Sequence, residues 1–121
     1  MTNNIVLVKS PKNSGVDELE VIKLTNKALK QKSLDSCEVS VIFVGRKKAK
    51  DLNIKYRQKS YIPQVLGFPM SMEKDADGVT RLGDIVICTQ KLKYEAVFLG
   101  KSQKVVLEEW LLHGVENLLI Q

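Results

Sequence analysis

Glu38-Val39-Ser40-Val41-Ile42-Phe43-Val44-Gly45-Arg46-Lys47-Lys48-Ala49-Lys50-Asp51-Leu52 changes its period at Gly45. Before the glycine, Val39, Ile42 and Val44 belong to a β-branched run, and such side chains suit a pleated, buried surface. Residues 38–44 therefore read as a central strand that Gly45 ends. Beyond it, Ala49, Leu52 and Tyr56 recur at helical spacing, which predicts a helix from Lys47 to Arg57 with its lysines outside.

Working outward, Asn4 to Val8 reads as a short strand, and Ser10 to Gly15 as a turn cluster. A helix is expected from Val16 to Lys32. Val21, Leu24, Ala28 and Leu29 face inward there, and Lys23, Lys27, Lys30 and Lys32 face out. On the other side, Val65 to Pro69 lies between two prolines, Pro63 and Pro69, which suits an edge strand. Met72 to Arg81 is a polar, hairpin-like return to a strand over Gly83 to Thr89. Two helices finish the chain. One spans Lys91 to Leu99 with Leu92, Ala96 and Leu99 on one side and stops near Gly100. The other is capped by Ser102, and it is apolar nearly all round, from Val105 to Ile120, as a buried helix would be. The expected fold class is α+β: a single layer of four-stranded mixed sheet, covered by the long first helix and by the buried last one.

At 121 residues the chain fits a single domain over 1–121, since two cores would each be too small to offset chain entropy. With 44% hydrophobic and 27% charged residues it is a folding composition, not a disordered one. Apolar runs such as Ile5 to Val8 and Ile85 to Cys88, none longer than four residues, fall far short of a bilayer span. No secretory start is visible after Met1, so a cytoplasmic protein is expected, with no membrane partner. Cys37 and Cys88 then read as free thiols. No CxxC pair is present to bind zinc through sulfur.

The net charge is +5, and it is concentrated. Between Arg46 and Lys59, seven basic residues oppose the one acid Asp51, a local excess of +6 that exceeds that of the whole chain. A basic surface attracts a phosphate backbone through counterion release. Arg46, Lys47, Lys48, Lys50, Lys55 and Lys59 are the candidate RNA-binding residues. Aromatic interleaving is limited to Tyr56 and Tyr61, and a solvated lysine-rich helix face is the alternative. On the last helix, Glu109, His113, Glu116 and Asn117 share a face by the i, i+3, i+4 rule, a pattern compatible with a metal ion.

Three blocks, in order, resemble the YbeY family of bacterial rRNA maturation factors, metal-dependent endoribonucleases. Leu52-Asn53-Ile54-Lys55-Tyr56-Arg57-Gln58-Lys59 followed by Val65-Leu66-Gly67-Phe68-Pro69 is similar to a family pattern of LN-x-x-YR-x-K and VLSFP. Leu82-Gly83-Asp84-Ile85-Val86-Ile87 matches LGDIVI throughout. Leu112-His113-Gly114-Val115 looks like the start of HG-x-LHL-x-GYDH. The resemblance runs from about Val39 onward and implies a YbeY-like metal-hydrolase fold. It also implies zinc as the family cofactor, with rRNA and the ribosome as partners. Arg57 takes the place of the family's catalytic arginine, clamping a phosphate through paired hydrogen bonds. Asp84 matches the family aspartate, where it orients a neighbouring group or caps the following turn.

The departures fall on the chemistry. Of three zinc-binding histidines the first corresponds to His113, the second position holds Asn117, and the sequence ends at Gln121 before the third. One imidazole and a neutral amide oxygen make a poor zinc site. Glu109 and Glu116 are the possible extra ligands. Gly67 stands where the pattern has serine, and Ile62-Pro63-Gln64 departs from the usual groove residues. The expectation is an endoribonuclease of rRNA maturation and ribosome biogenesis with weakened metal-dependent catalysis. The alternative is a non-catalytic RNA- or ribosome-binding module that keeps the basic groove, and a shortened copy of a longer chain is a third reading.

Overall fold

The computed structural model describes residues 3–120. In chain order the elements are β1 (Ile5–Lys9), α1 (Glu18–Gln31), β2 (Cys37–Val44), α2 (Arg46–Arg57), β3 (Val65–Pro69), β4 (Thr80–Cys88), α3 (Thr89–Leu99) and α4 (Gln103–Leu118). The four strands form one sheet in the order β1-β2-β4-β3. β1, β2 and β4 are parallel, and β3 runs antiparallel along the β4 edge. The α+β class, the mixed sheet and the edge position of the proline-bounded strand all match the sequence reading.

Alternation along the strands builds two cores. Val39, Val41 and Phe43 of β2, with Ile85 and Ile87 of β4, face α1 and α4 in the larger one. Val44, Val86, Cys88 and Leu66 point the other way and meet Ala49 of α2. Helices on both faces explain why no residue of β2 or β4 is exposed and why both strands end in apolar runs, Val41 to Val44 and Ile85 to Cys88.

Element ends differ from the expectation for local reasons. α1 starts at Glu18 because the Asp17 carboxylate accepts from the Glu20 amide at 3.2 Å. Ser102 caps α4 as expected, accepting from Val105 N at 3.2 Å. Gly100, at φ +65°, closes α3. β4 begins at Thr80, ahead of Gly83, and passes through the glycine by a bulge: Glu38 pairs with Arg81, and Val39 already pairs with Gly83. Leu99 is exposed rather than inward, and Val105 and Ile120 of the last helical segment are exposed as well. Both cysteines are free and buried, and burial raises the Cys37 thiol pKa. No helix among the described residues is long and apolar enough to cross a membrane.

Gly83 has φ +136°, and a Cβ there would stand 2.1 Å from the Phe68 carbonyl oxygen. Backbone conformation and space both demand glycine. Gly83→Ala should therefore destabilise the fold by more than about 3 kcal/mol in urea unfolding. At the start of β4, Arg81 binds Asp75 at 2.7 Å, Asp77 at 2.9 Å and Glu38 at 3.4 Å. The hydrogen bond from Arg81, then that from the Val79 amide, lowers the Asp77 pKa from 3.8 to about 2. A depressed carboxyl stabilises the folded state above its unfolded pKa and loses that contribution as pH falls through the folded one. The tie should thus loosen between about pH 4 and pH 2, read as the carboxyl carbon shift of Asp77, and Arg81→Gln should return the midpoint towards 3.8.

Candidate functional site

α2 ends at Arg57, and Gln58 turns the chain in the left-handed region at φ +54° while its amide bonds back into the last turn. Residues 58–64 then return towards β3. Asn53, fully buried on α2, fixes this return: its Nδ2 donates to the Tyr61 carbonyl at 2.9 Å, and its own carbonyl accepts from the Lys59 amide at 3.3 Å. Its Oδ1 is buried without a hydrogen-bond partner among the described residues. On the other side, Gln64 reaches Glu95 of α3 at 3.4 Å, and Lys91 pairs with the same carboxylate.

α4 approaches the sheet closely enough to complete the site. A Cβ on Gly114 would lie 2.7 Å from Ile85 Cγ2, and one on Gly67 would lie 2.8 Å from Asn117 Cβ. His113 is thereby brought to a cleft of ≈ 370 Å³ that it lines with Arg57, Tyr61, Gln64 and Lys91. Arg57 also borders a second hollow of ≈ 540 Å³ with Tyr56, Gly67, Phe68 and Asn117. Tyr56 packs edge-on to Phe68 at 5.1 Å, closing that side. A third hollow of ≈ 360 Å³ shares Tyr61 and Lys91 with the first and adds Arg46, Gln90 and Tyr94. A hollow of ≈ 900 Å³, larger than these three, lies by α1 and is lined by mixed charges such as Asp17, Lys27, Lys104 and Glu108, with no candidate residue.

The structure divides the sequence candidates. Arg57 and His113 share one cleft, with Asn117 in the adjoining hollow. Glu109 and Glu116 are each held elsewhere: Glu109 pairs with Lys101 at 3.0 Å, and Glu116 pairs with Lys32, the residue after α1, at 3.1 Å. Among the described residues no three of His, Cys, Asp and Glu are grouped for a metal ion. The residues present do not by themselves fit zinc, which needs at least three such groups. Asp84 lies mid-strand between Ser40 and Phe68, so it caps no turn, and its carboxylate has no partner among the described residues.

Arg46, Lys47, Lys48, Lys50, Lys55 and Lys59 are all exposed, and none forms an ion pair among the described residues. Lys55 lies over the Tyr56 ring at 5.1 Å. Of the six, only Arg46 lines one of these hollows, and Lys47, Lys48 and Lys50 lie on the outside of α2. The paired strand ends Val44 and Cys88 start α2 and α3 side by side, and neither helix has an acid in its first turn or a side-chain cap. Lys91 and Asn53 were missed in sequence as parts of the cleft and its return loop, and Tyr94 was missed as a residue of the neighbouring hollow, outside the cleft itself. Tyr94 stands at i, i+4 from Phe98 on the side of α3 opposite Leu92 and Ala96, a signal that was available.

These features define a small α+β protein with a cleft over the edge strand of a mixed sheet, lined by Arg57, Lys91 and His113. The sequence profile described as Endoribonuclease YbeY matches residues 8–119. The chain belongs to the YbeY family. It is 37% identical over 92 residues to the Endoribonuclease YbeY of Pseudomonas putida, covering 76% of this chain and 58% of the relative. It is 34% identical over 106 residues to that of Pseudomonas syringae, covering 88% and 63%, and 40% identical over 81 residues to that of Thermodesulfovibrio yellowstonii, covering 67% and 50%. The chain thus spans about three-fifths of the length of the first two. A Thermotoga maritima protein solved in solution shares the fold, with a TM-score of 0.63 at 22% identity over 94% of this chain and 71% of that one.

Asn53→Leu keeps the number and branching of the side-chain heavy atoms, removes the bond to Tyr61 and removes the unpartnered oxygen. Global stability should change by less than about 1.5 kcal/mol, because the lost bond and the lost desolvation penalty offset. Amide exchange over residues 59–64 should accelerate relative to the sheet, measured by mass spectrometry.

Proposed function

We infer that this chain binds RNA in the cleft between Arg57 and His113 and serves rRNA maturation and ribosome biogenesis as a YbeY-family endoribonuclease with weakened metal-dependent catalysis. One observation carries the reading: the family arginine and the first motif histidine, 56 positions apart in the chain, line one cleft beside a cationic helix whose basic residues form no ion pair among the described residues. Arg57 presents a planar donor pair that suits a phosphodiester. Arg46 and the lysines of α2 supply the sequence-independent attraction that holds a polyanion near it. The relatives' printed name, Endoribonuclease YbeY, supplies the reaction class. The weakened catalysis follows from the donor set. His113 is one imidazole, Asn117 offers an amide, and both candidate glutamates are taken by lysines. The family's zinc would need ligands beyond these. The same observation favours the second reading, a non-catalytic RNA- or ribosome-binding module in the cytoplasm.

Two measurements separate the readings. Affinity for structured rRNA fragments should fall with salt, and reversal of Lys47, Lys48 and Lys50 to glutamate should lower the slope of log affinity against log salt by up to about 2. An unchanged slope would remove the RNA reading. Cleavage that is lost with chelator, in Arg57→Ala and in His113→Ala identifies the enzyme; binding without cleavage identifies the module.

A further inference from the structure

α3 leaves an aromatic pair in solvent. Tyr94 and Phe98, one turn apart, are 58% and 72% exposed, and their rings stack with centroids 6.1 Å apart and planes 13° from parallel. Val97 beside them is 83% exposed. The side of α3 that packs against the larger core carries Leu92 and Ala96, so the pair adds little to folding. Its place in the fold gives it a neighbour. Tyr94 lines the hollow with Arg46 and Lys91, and Lys91 and Tyr61 also line the cleft of Arg57 and His113. From the cleft outward, cations and rings alternate: Arg57, then Lys91 with Tyr61, then Arg46 with Tyr94, then Phe98.

This alternation matches one chemistry. A single-stranded nucleic acid offers π-faces for the rings and phosphates for the cations, whereas a duplex keeps its bases stacked on each other. We propose that Tyr94 and Phe98 are a base-stacking extension of the cleft, taking unpaired bases of single-stranded RNA whose phosphates pass Arg46 and Lys91. The proposal rests on RNA binding at Arg57 and adds the direction in which the strand leaves. Continuity and charge favour RNA over an apolar protein partner. The route to the pair runs through Arg46, which has no ion-pair partner among the described residues.

The test compares unstructured RNAs of about 4 and about 12 nucleotides, a range that spans common single-strand site sizes, by fluorescence anisotropy. In the unmodified protein the longer RNA should bind more tightly. Tyr94→Ala with Phe98→Ala should remove about tenfold of that gain, the stacking of one or two bases, and leave the short RNA unaffected. Tyr94→Trp with Phe98→Trp should retain it. 2-Aminopurine placed in the outer half of the longer RNA should be quenched by the unmodified protein and not by the alanine variant. Both residues are exposed, so an unchanged thermal midpoint shows that folding is intact. A length gain that survives the alanine pair overturns the proposal. So does a dimer in sedimentation that the alanine pair dissolves with the length gain intact, which would make the patch a contact between copies. Absence of short-RNA binding in the unmodified protein defeats the RNA reading itself and this extension with it.

Discussion

The site depends on how closely α4 can lie against the sheet, and glycine sets that distance. Helix and strand normally keep apart by the thickness of their side chains, and close-packed interiors do not deform to accommodate an extra carbon. At Gly114 an added Cβ would enter the Ile85 side chain, and at Gly67 it would enter Asn117. With both carbons missing, the face of α4 that carries His113 and Asn117 comes down on β3, beside the end of α2. The glycine at 67, where the family pattern has serine, therefore changes more than a groove contact. It lets the helix carrying the altered histidine motif sit nearer the edge strand than a serine would permit.

The edge strand is where the two faces of the sheet meet. α2 is fixed by the smaller core through Ala49, and α4 by the larger one through Leu111 and Val115. Arg57 and His113 thus come from helices on opposite faces of the sheet. They share a cleft because β3 is only five residues long and the chain before it, drawn in by Asn53, wraps the open edge. A wider sheet would separate them. The proline at each end of this segment suits such a position, since an edge strand can forgo amide donors that a central strand needs.

Legibility in the sequence followed the range of the interactions. Strand and helix identities came from period and turn residues, which act over a few positions, and they match the structure almost element by element. The β4 bulge at Gly83 did not show, because glycine reads as a boundary unless the partner strand is known. Glu109 and Glu116 satisfied the helical face rule beside His113, yet Lys101 and Lys32 claim them. Helical spacing gives shared direction and is blind to the neighbour that will compete for a side chain. Lys32 lies 84 positions from Glu116, just past the end of a different helix, so only the fold could reveal that pairing. Arg57 was legible through its block, whereas its juxtaposition with His113 required the sheet.

The charges of α2 can be weighed by their position along it. Lys55 and Arg57 lie in the last turn, where the helix dipole favours cations, so their presence there has a sufficient structural reason. Arg46, Lys47 and Lys48 lie at the opposite end, where each opposes the dipole by about 0.3–1 kcal/mol and where no acid or side-chain cap offsets them. Folding alone would favour Asp or Glu at those positions. A sequence that departs from local preference without a compensating contact commonly marks a functional surface. The first turn of α2, more than its total charge, is therefore the part of the helix that local folding preference does not account for, and Arg46 in that turn lines the hollow that adjoins the Arg57 cleft.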